Sequence, residues 1–154
     1  MNGTLLDRLS TRRRVHIDTN VVVYFLQGNP VYLSLVRPLF QLVDSGRIQG
    51  LSSYVTLLEV LVQPRKEGRP ELAERYREIL LRARNLRLFP VDCVVAEAGA
   101  AIRAAYGFRT PDAIQLATAM TRGADALVTN DSSLRRFREV DVLVLDDFRA
   151  TAGG

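Results

Sequence analysis

Apolar positions along the chain follow two rhythms. Short apolar runs end abruptly at polar residues, and between them lie longer stretches whose apolar residues recur every three or four positions. The first rhythm predicts buried strands and the second amphipathic helices. Strands are expected at Val15–Ile17, Ile48–Leu51, Leu86–Val91, Leu127–Thr129 and Val142–Leu145. A helix over Val21–Leu26 stops at Gly28-Asn29-Pro30, and Val31–Ser45 carries Leu35, Leu39, Leu42 and Val43 on one side, with Gly46 as its C-cap. Ser52 and Ser53 offer hydroxyl caps to a helix through Glu59 that Pro64 should end. Glu71–Arg84 has acids first and arginines last, as the helix dipole favours. Asp92 caps a helix to about Tyr106, Thr110 caps another that ends at Gly123 with Pro111 at its first position, and Ser132–Phe137 is a helical turn. Residues 1–14 are polar around Leu5, Leu6 and Leu9, which fits a short helix or a frayed arm, and the small, polar stretch 149–154 reads as a flexible tail.

Strands separated by helices imply a parallel α/β sheet with helices on both faces. In such sheets ligands bind beyond the C-terminal strand ends, near the point where the strand order reverses. That directs attention to four carboxylates. Asp18 and Asp131 follow predicted strands, Asp112 opens a helix, and Glu59 lies about two turns into another. Each has an ordinary explanation: Asp18 and Asp131 as helix caps, Asp112 as an acid favoured by a helix N-terminus. Glu59 shares a narrow polar stripe with Thr56 and Gln63, whose ordinary explanation is a face turned to water; the helix is apolar elsewhere, which favours burial by protein and a need for a cation partner. Together, four carboxylates in one small chain point to a single acidic pocket for a hard divalent cation, Mg2+ or Mn2+, with which phosphate can associate. Thr19, Asn20, Thr129 and Asn130 supply hydroxyl and amide groups suited to supporting such a pocket.

Composition narrows the chemistry. The chain has 154 residues, enough for one domain with a real core, and its single Cys93 excludes an internal disulfide. With His16 as the only histidine, His-pair acid–base schemes and His-rich metal sites drop out. His16 points opposite to its strand neighbours and reads as structural; Cys93 reads as a small buried filler. No Gly-rich phosphate loop or nucleophile elbow is present. No apolar run is long enough to cross a bilayer, and Asp18 and Asn20 interrupt the apolar stretch after Arg12-Arg13-Arg14, so no signal peptide and a cytoplasmic location are expected. The net charge of +4 is carried mostly by arginine, Lys66 being the lone lysine. Arginine-borne positive charge suits a polyanionic partner, and a GC-rich genome would produce the same bias. Arg109 is open between a phosphate contact and a solvated loop arginine. Asp146-Asp147 reads more readily as a strand-end turn than as part of the acidic site, and Arg135-Arg136-Arg138 as a polyanion-binding face or a solvated helix surface.

Four pieces then carry a resemblance: Ile17-Asp18-Thr19-Asn20; Ser52 to Glu59; Arg109-Thr110-Pro111-Asp112-Ala113-Ile114-Gln115-Leu116-Ala117-Thr118-Ala119; and Leu127-Val128-Thr129-Asn130-Asp131 with Phe137 after it. In this order the chain resembles the PIN-domain nucleases, most closely the VapC-type toxins of toxin–antitoxin pairs. The resemblance implies a three-layer α/β/α fold over residues 15–148 as one domain, preceded by an extension over 1–14. It implies a metal-dependent, single-strand-selective endoribonuclease leaving 5′-phosphate and 3′-hydroxyl ends, with Asp18, Glu59, Asp112 and Asp131 as ligands and catalytic groups. A homodimer and a small antitoxin partner are also implied. The dozen residues before the first strand depart from the family pattern. Two other functions compete: an inactive PIN-like interaction module, and a haloacid-dehalogenase-type phosphatase, which wants Asp-x-Asp where this chain has Asp18-Thr19-Asn20.

Overall fold

The computed structural model describes residues 3–152, the last three by backbone alone. Five strands, β1 (Arg14–Ile17), β2 (Gln49–Ser53), β3 (Leu86–Phe89), β4 (Ala126–Thr129) and β5 (Asp141–Val144), form one sheet in the order β3-β2-β1-β4-β5. Every pairing is parallel. The chain builds outward from β1 first to one side and then to the other, so the order reverses between β1 and β4, where Ile17 faces Val128.

Among the described residues there are eight α-helices, α1 (Leu5–Leu9) before the first strand, α2 (Thr19–Gln27), α3 (Leu33–Asp44), α4 (Tyr54–Lys66), α5 (Pro70–Arg82), α6 (Cys93–Tyr106) and α7 (Thr110–Thr121) between strands, and α8 (Asp146–Ala152) after the last. Two cores lie on opposite sheet faces, as the period-two alternation of a buried strand requires. On β1, Val15 and Ile17 join Leu5, Val21, Leu39, Val60, Leu80 and Phe148 in the larger core. On β4, Leu127 turns the other way into a smaller core with Ile102, Leu116 and Phe137, under α6 and α7. His16 also points away from the larger core and meets α7. The result is the expected three-layer α/β/α arrangement.

The N-terminal segment takes the helical alternative. Thr4 and Asp7 close a capping box on α1, and Leu5 and Leu9 are buried. Asp125 then accepts from the backbone N–H groups of Arg13 and Arg14, tying the start of β1 to that of β4. At the other end α8 reaches Ala152, into the stretch expected to be a flexible tail, because Phe148 anchors it in the core. Residues 1, 2, 153 and 154 of these two segments lie outside the described residues.

Several boundaries differ for local reasons. Pro64 does not end α4; it is buried within it, and the helix closes at Gly68, in the left-handed region, with Arg69 N–H donating to Pro64 O. Arg109, not Thr110, is the N-cap of α7, which puts Pro111 in its second position. Val31 stays outside α3, where Asn29 Oδ1 accepts from its N–H in a turn. At Gly50 a Cβ would come within 3.0 Å of Leu86 and 3.2 Å of Val43, so glycine lets β2 lie close to its neighbours.

Candidate functional site

Asp18 leaves β1 at the reversal point, and its backbone N–H still pairs with Val128 O of β4. It caps α2: Oδ1 accepts from Thr19 N–H at 2.8 Å, while Oδ2 accepts from the Thr129 hydroxyl at 2.7 Å. The residue is 6% exposed. Thr129 ends β4 and accepts in turn from Asp131 N–H. Asn20 Oδ1 takes Asn130 N–H, and Asn130 bridges onward to Tyr24 and to the start of α8. The four polar residues expected to support the acids thus form one hydrogen-bonded lattice around Asp18. Asp131 caps the 3-10 turn Ser132–Arg136 with one carboxylate oxygen and still borders the crevice. The capping and pocket readings of both aspartates therefore hold together.

Asp112 sits in the first turn of α7, partly buried, 3.5 Å from the Arg109 guanidinium. Glu59 corrects the sequence reading: it is exposed, not buried. α4 is not covered all round, since Tyr54, Leu58 and Val62, one helical stripe, are 44%, 62% and 41% exposed. An apolar pattern reports burial only where something covers it, and nothing among the described residues covers this face. Glu59 Oε1 accepts from the Thr19 hydroxyl at 2.8 Å.

All four carboxylates line one crevice of about 340 Å³ with Thr19, Asn20, Tyr24 and Arg109. Larger, more apolar hollows exist, one of about 620 Å³ between α3 and α5, but no acid of the set borders it. Burial raises the Asp18 pKa to about 6 against the donors that hold its charged form, and the Asp112 and Glu59 charges add to the rise. Burial also raises Asp112, with Arg109 opposing and Asp131 assisting. Burial and neighbouring like charges both oppose the ionised form of Asp18, and a cation held by these acids would offset both. The donors are hard oxygens, which suit Mg2+ or Mn2+. Among the described residues, however, no three His, Cys, Asp or Glu side chains are drawn together tightly enough to grip an ion. The acids share a crevice but do not close on one point.

Other candidates fall outside it. Asp146 accepts from Tyr32 OH and Asp147 pairs with Arg135, both in the first turn of α8. Arg136 lies over Phe108 and donates to Tyr106 O, and Arg138 is exposed. Cys93, expected to be buried filler, is exposed at the start of α6, 3.4 Å from Glu97. Missing from the expected set is a buried polar core behind the crevice: Gln115, Thr56, Ser52 and His16. Its signal was visible as Gln115, a long polar residue one turn beyond Asp112 in a run of small apolar ones.

A family model for the PIN domain matches residues 15–140. The chain belongs to the PIN-domain family. All four carboxylates lie inside the matched span of this PIN domain, while α1 and α8 lie outside it. No curated protein sequence matches the chain. Solved structures do. A toxin–antitoxin complex from Klebsiella pneumoniae aligns with TM-score 0.65 and 23% identity over 85% of this chain and 97% of that one. DNA-bound VapBC from Salmonella typhimurium gives 0.67 and 21% over 86% and 98%. The sarcin-ricin loop cleaving toxin VapC20 of Mycobacterium tuberculosis gives 0.63 and 16% over 82% and 98%. At these identities the likeness establishes the fold.

Proposed function

We propose that this PIN domain is a divalent-metal-dependent, single-strand-selective endoribonuclease of the VapC type, the toxin of a toxin–antitoxin pair. One observation carries the reading: acids from four separate elements line a single crevice at the sheet's reversal point. Asp18, Glu59, Asp112 and Asp131 are the groups that would hold Mg2+ or Mn2+. When bound, the cation supplies positive charge against a phosphodiester oxygen and offsets the mutual repulsion of the acids. Burial pushes the Asp18 carboxyl up to about 6, and a cation held beside it would favour its ionised form. Asp112 or Asp131, at the rim, orients the attacking water or takes its proton; as the water oxygen bonds to phosphorus the P–O3′ bond breaks and the 3′ oxygen takes up a proton from solvent, leaving 5′-phosphate and 3′-hydroxyl ends. Arg109, with its side chain 82% exposed, is free at one side to meet an RNA phosphate.

Partners follow from the same reading. The likeness to a solved toxin–antitoxin complex supports a small antitoxin as partner; in our reading its segment would lie across the crevice and set an arginine among the acids. The uncovered stripe of Tyr54, Leu58 and Val62 supports a homodimer. No helix among the described residues is long and apolar enough to cross a membrane. A haloacid-dehalogenase-type phosphatase is disfavoured: Asn20 stands where the second aspartate belongs, and Lys66 is exposed at the far end of α4, outside the crevice. An inactive interaction module would keep the fold and lack turnover.

The test is cleavage of labelled single-stranded and duplex RNA while Mn2+ is titrated. Mn2+-dependent cutting of the single strand is expected, abolished by Asp18→Asn and by Asp112→Asn with melting behaviour intact. Full activity in both variants removes the nuclease reading; no cutting by the unmodified chain on any RNA leaves the inactive module. For the partner, co-expression of the neighbouring small gene should relieve growth arrest, and failure to do so counts against it.

A further inference from the structure

Behind the crevice lies a hydrogen-bonded chain that runs from a core histidine to an exposed glutamate. Gln115, 2% exposed on α7, sets Oε1 2.6 Å from His16 Nε2. Its amide nitrogen donates to Thr56 Oγ1 at 2.9 Å and to Thr19 Oγ1 at 3.2 Å. Thr19 in turn donates to Glu59 Oε1, and Ser52 Oγ, 2.8 Å from Thr56 Oγ1, completes the buried set.

The direction of this chain follows from counting protons. A hydroxyl has one proton and two lone pairs. Thr19 receives from the Gln115 amide and also lies 3.0 Å from Thr56 Oγ1; the Glu59 carboxylate at 2.8 Å is the stronger acceptor and takes its single proton. Reversing the amide would put its oxygen against Thr19 and Thr56, and the Thr19 proton would turn inward, away from Glu59. His16 prevents the reversal. Its Nδ1 is buried without a hydrogen-bond partner. If the amide nitrogen faced Nε2, the proton of the neutral ring would have to sit on Nδ1 as an orphaned buried N–H, which proteins rarely tolerate. With the proton on Nε2, only an unprotonated nitrogen is left unsatisfied, and Gln115 must present its oxygen.

We infer that Gln115 is a positioning residue for Glu59, acting through the Thr19 hydroxyl, with its amide held one way round by His16. Glu59 needs such help more than the other acids do. It stands exposed on a helix, its side chain has rotamer freedom to lose on binding a cation, and the donor that restrains it is Thr19. The inference rests on the proposed reading of Glu59 as a cation ligand.

The experiment is a double-mutant cycle read by calorimetric Mn2+ affinity on the full chain, with no RNA present. Gln115→Met keeps bulk and removes the amide. It should weaken Mn2+ binding about tenfold in the unmodified chain and less than twofold in the Glu59→Gln background, because supporting groups behind metal ligands are worth on the order of 10–100-fold. Equal losses in both backgrounds, or no loss in either, overturn the inference. If Glu59→Gln alone leaves the affinity unchanged, Glu59 is not a ligand, and that reading and this one fall together. Should Gln115→Met lose its cooperative melt, Thr19 carries the test from its half-buried position. Thr19→Val must reproduce the tenfold loss and Thr19→Ser must stay within twofold; a Thr19→Ser loss equal to that of Thr19→Val sinks the proposal.

Discussion

On the strand side of the crevice, Asp18 is 6% exposed and gives both oxygens to fixed donors, one on the backbone of α2 and one at the end of β4. On the helix side, Glu59 is exposed, and one threonine hydroxyl restrains it. The strand side is assembled during folding, because the parallel pairing of β1 with β4 brings Asp18 to Thr129. The helix side depends on where α4 and α7 come to rest against the sheet. The difference separates a preformed half of the pocket from an adjustable half, and it accounts for acids that share a crevice without converging on one point.

The largest break in that comparison comes from neutralising one acid on each side. Asp18→Asn should cut RNA cleavage by at least about a hundredfold, since a ligand to a catalytic cation is worth several kcal/mol. Glu59→Gln should cost roughly tenfold, the lower end for groups that orient or complete a metal site. Single-turnover rates at saturating Mn2+ measure both. Equal losses would mean that the two sides are equally committed, and the division into preformed and adjustable halves would be wrong.

Next in size is the support of the preformed side. Thr129 donates to Asp18 and accepts from Asp131 N–H, so Thr129→Val strips a donor from one acid and an acceptor from the backbone of another. About 10–100-fold in Mn2+ affinity is expected. Stability should fall by about 1–3 kcal/mol for the unsatisfied buried groups, while Thr129→Ser recovers most of both. Denaturant melts and calorimetry on the three chains decide it.

Much of this was legible in the sequence, and the reasons are local. The short apolar runs predicted all five strands because strands buried on both faces need continuous apolar residues, and the strand–helix alternation left a parallel sheet as the natural closure. The acids were legible by position: a carboxylate after a strand or at a helix start has few places to point. Glu59 was misjudged because its burial depends on what lies over α4, which no periodicity within α4 can report. Pro64 was misjudged for a related reason, since packing of its ring and the closure at Gly68 outweigh its missing donor. The network through Gln115 could not be read because it joins residues about forty to a hundred positions apart.

A subtler test uses His16 on β1 and Asp18 just past its end, which have opposite titrations. Burial lowers the His16 pKa to about 4 and raises that of Asp18 to about 6. Below pH 6.5 the unfolded chain takes up a proton on His16 that the folded chain refuses, so acidification from 6.5 to 4 removes stability. Asp18 acts in the reverse sense: from pH 6 down towards 4 the folded chain binds the extra proton and gains stability. Each contribution is about 3 kcal/mol at most, and they largely cancel. Asp18→Asn should expose the His16 slope, making stability fall more steeply between pH 6.5 and 4 than in the unmodified chain, with chelator present throughout. Parallel urea-melt profiles for the two chains would show that the offset does not exist.

The smallest effect belongs to the adjustable side. Arg109 pairs with Asp112 at 3.5 Å, with its side chain 82% exposed, so the pair is solvent-screened and contributes little to folding. Arg109→Ala should shift stability by less than about 1 kcal/mol. If Arg109 meets RNA, its removal should raise KM a few-fold and lower the salt dependence of binding by roughly one counter-ion, because a phosphate contact releases about one ion from the strand. If it serves Asp112 alone, its loss lets that acid's pKa rise further, since Arg109 is the group holding it down. The pH profile of cleavage would then move upward while the salt slope stayed fixed. Measuring KM against salt at two pH values separates a phosphate contact from a carboxylate partner on the side of the pocket where the fold leaves room for either.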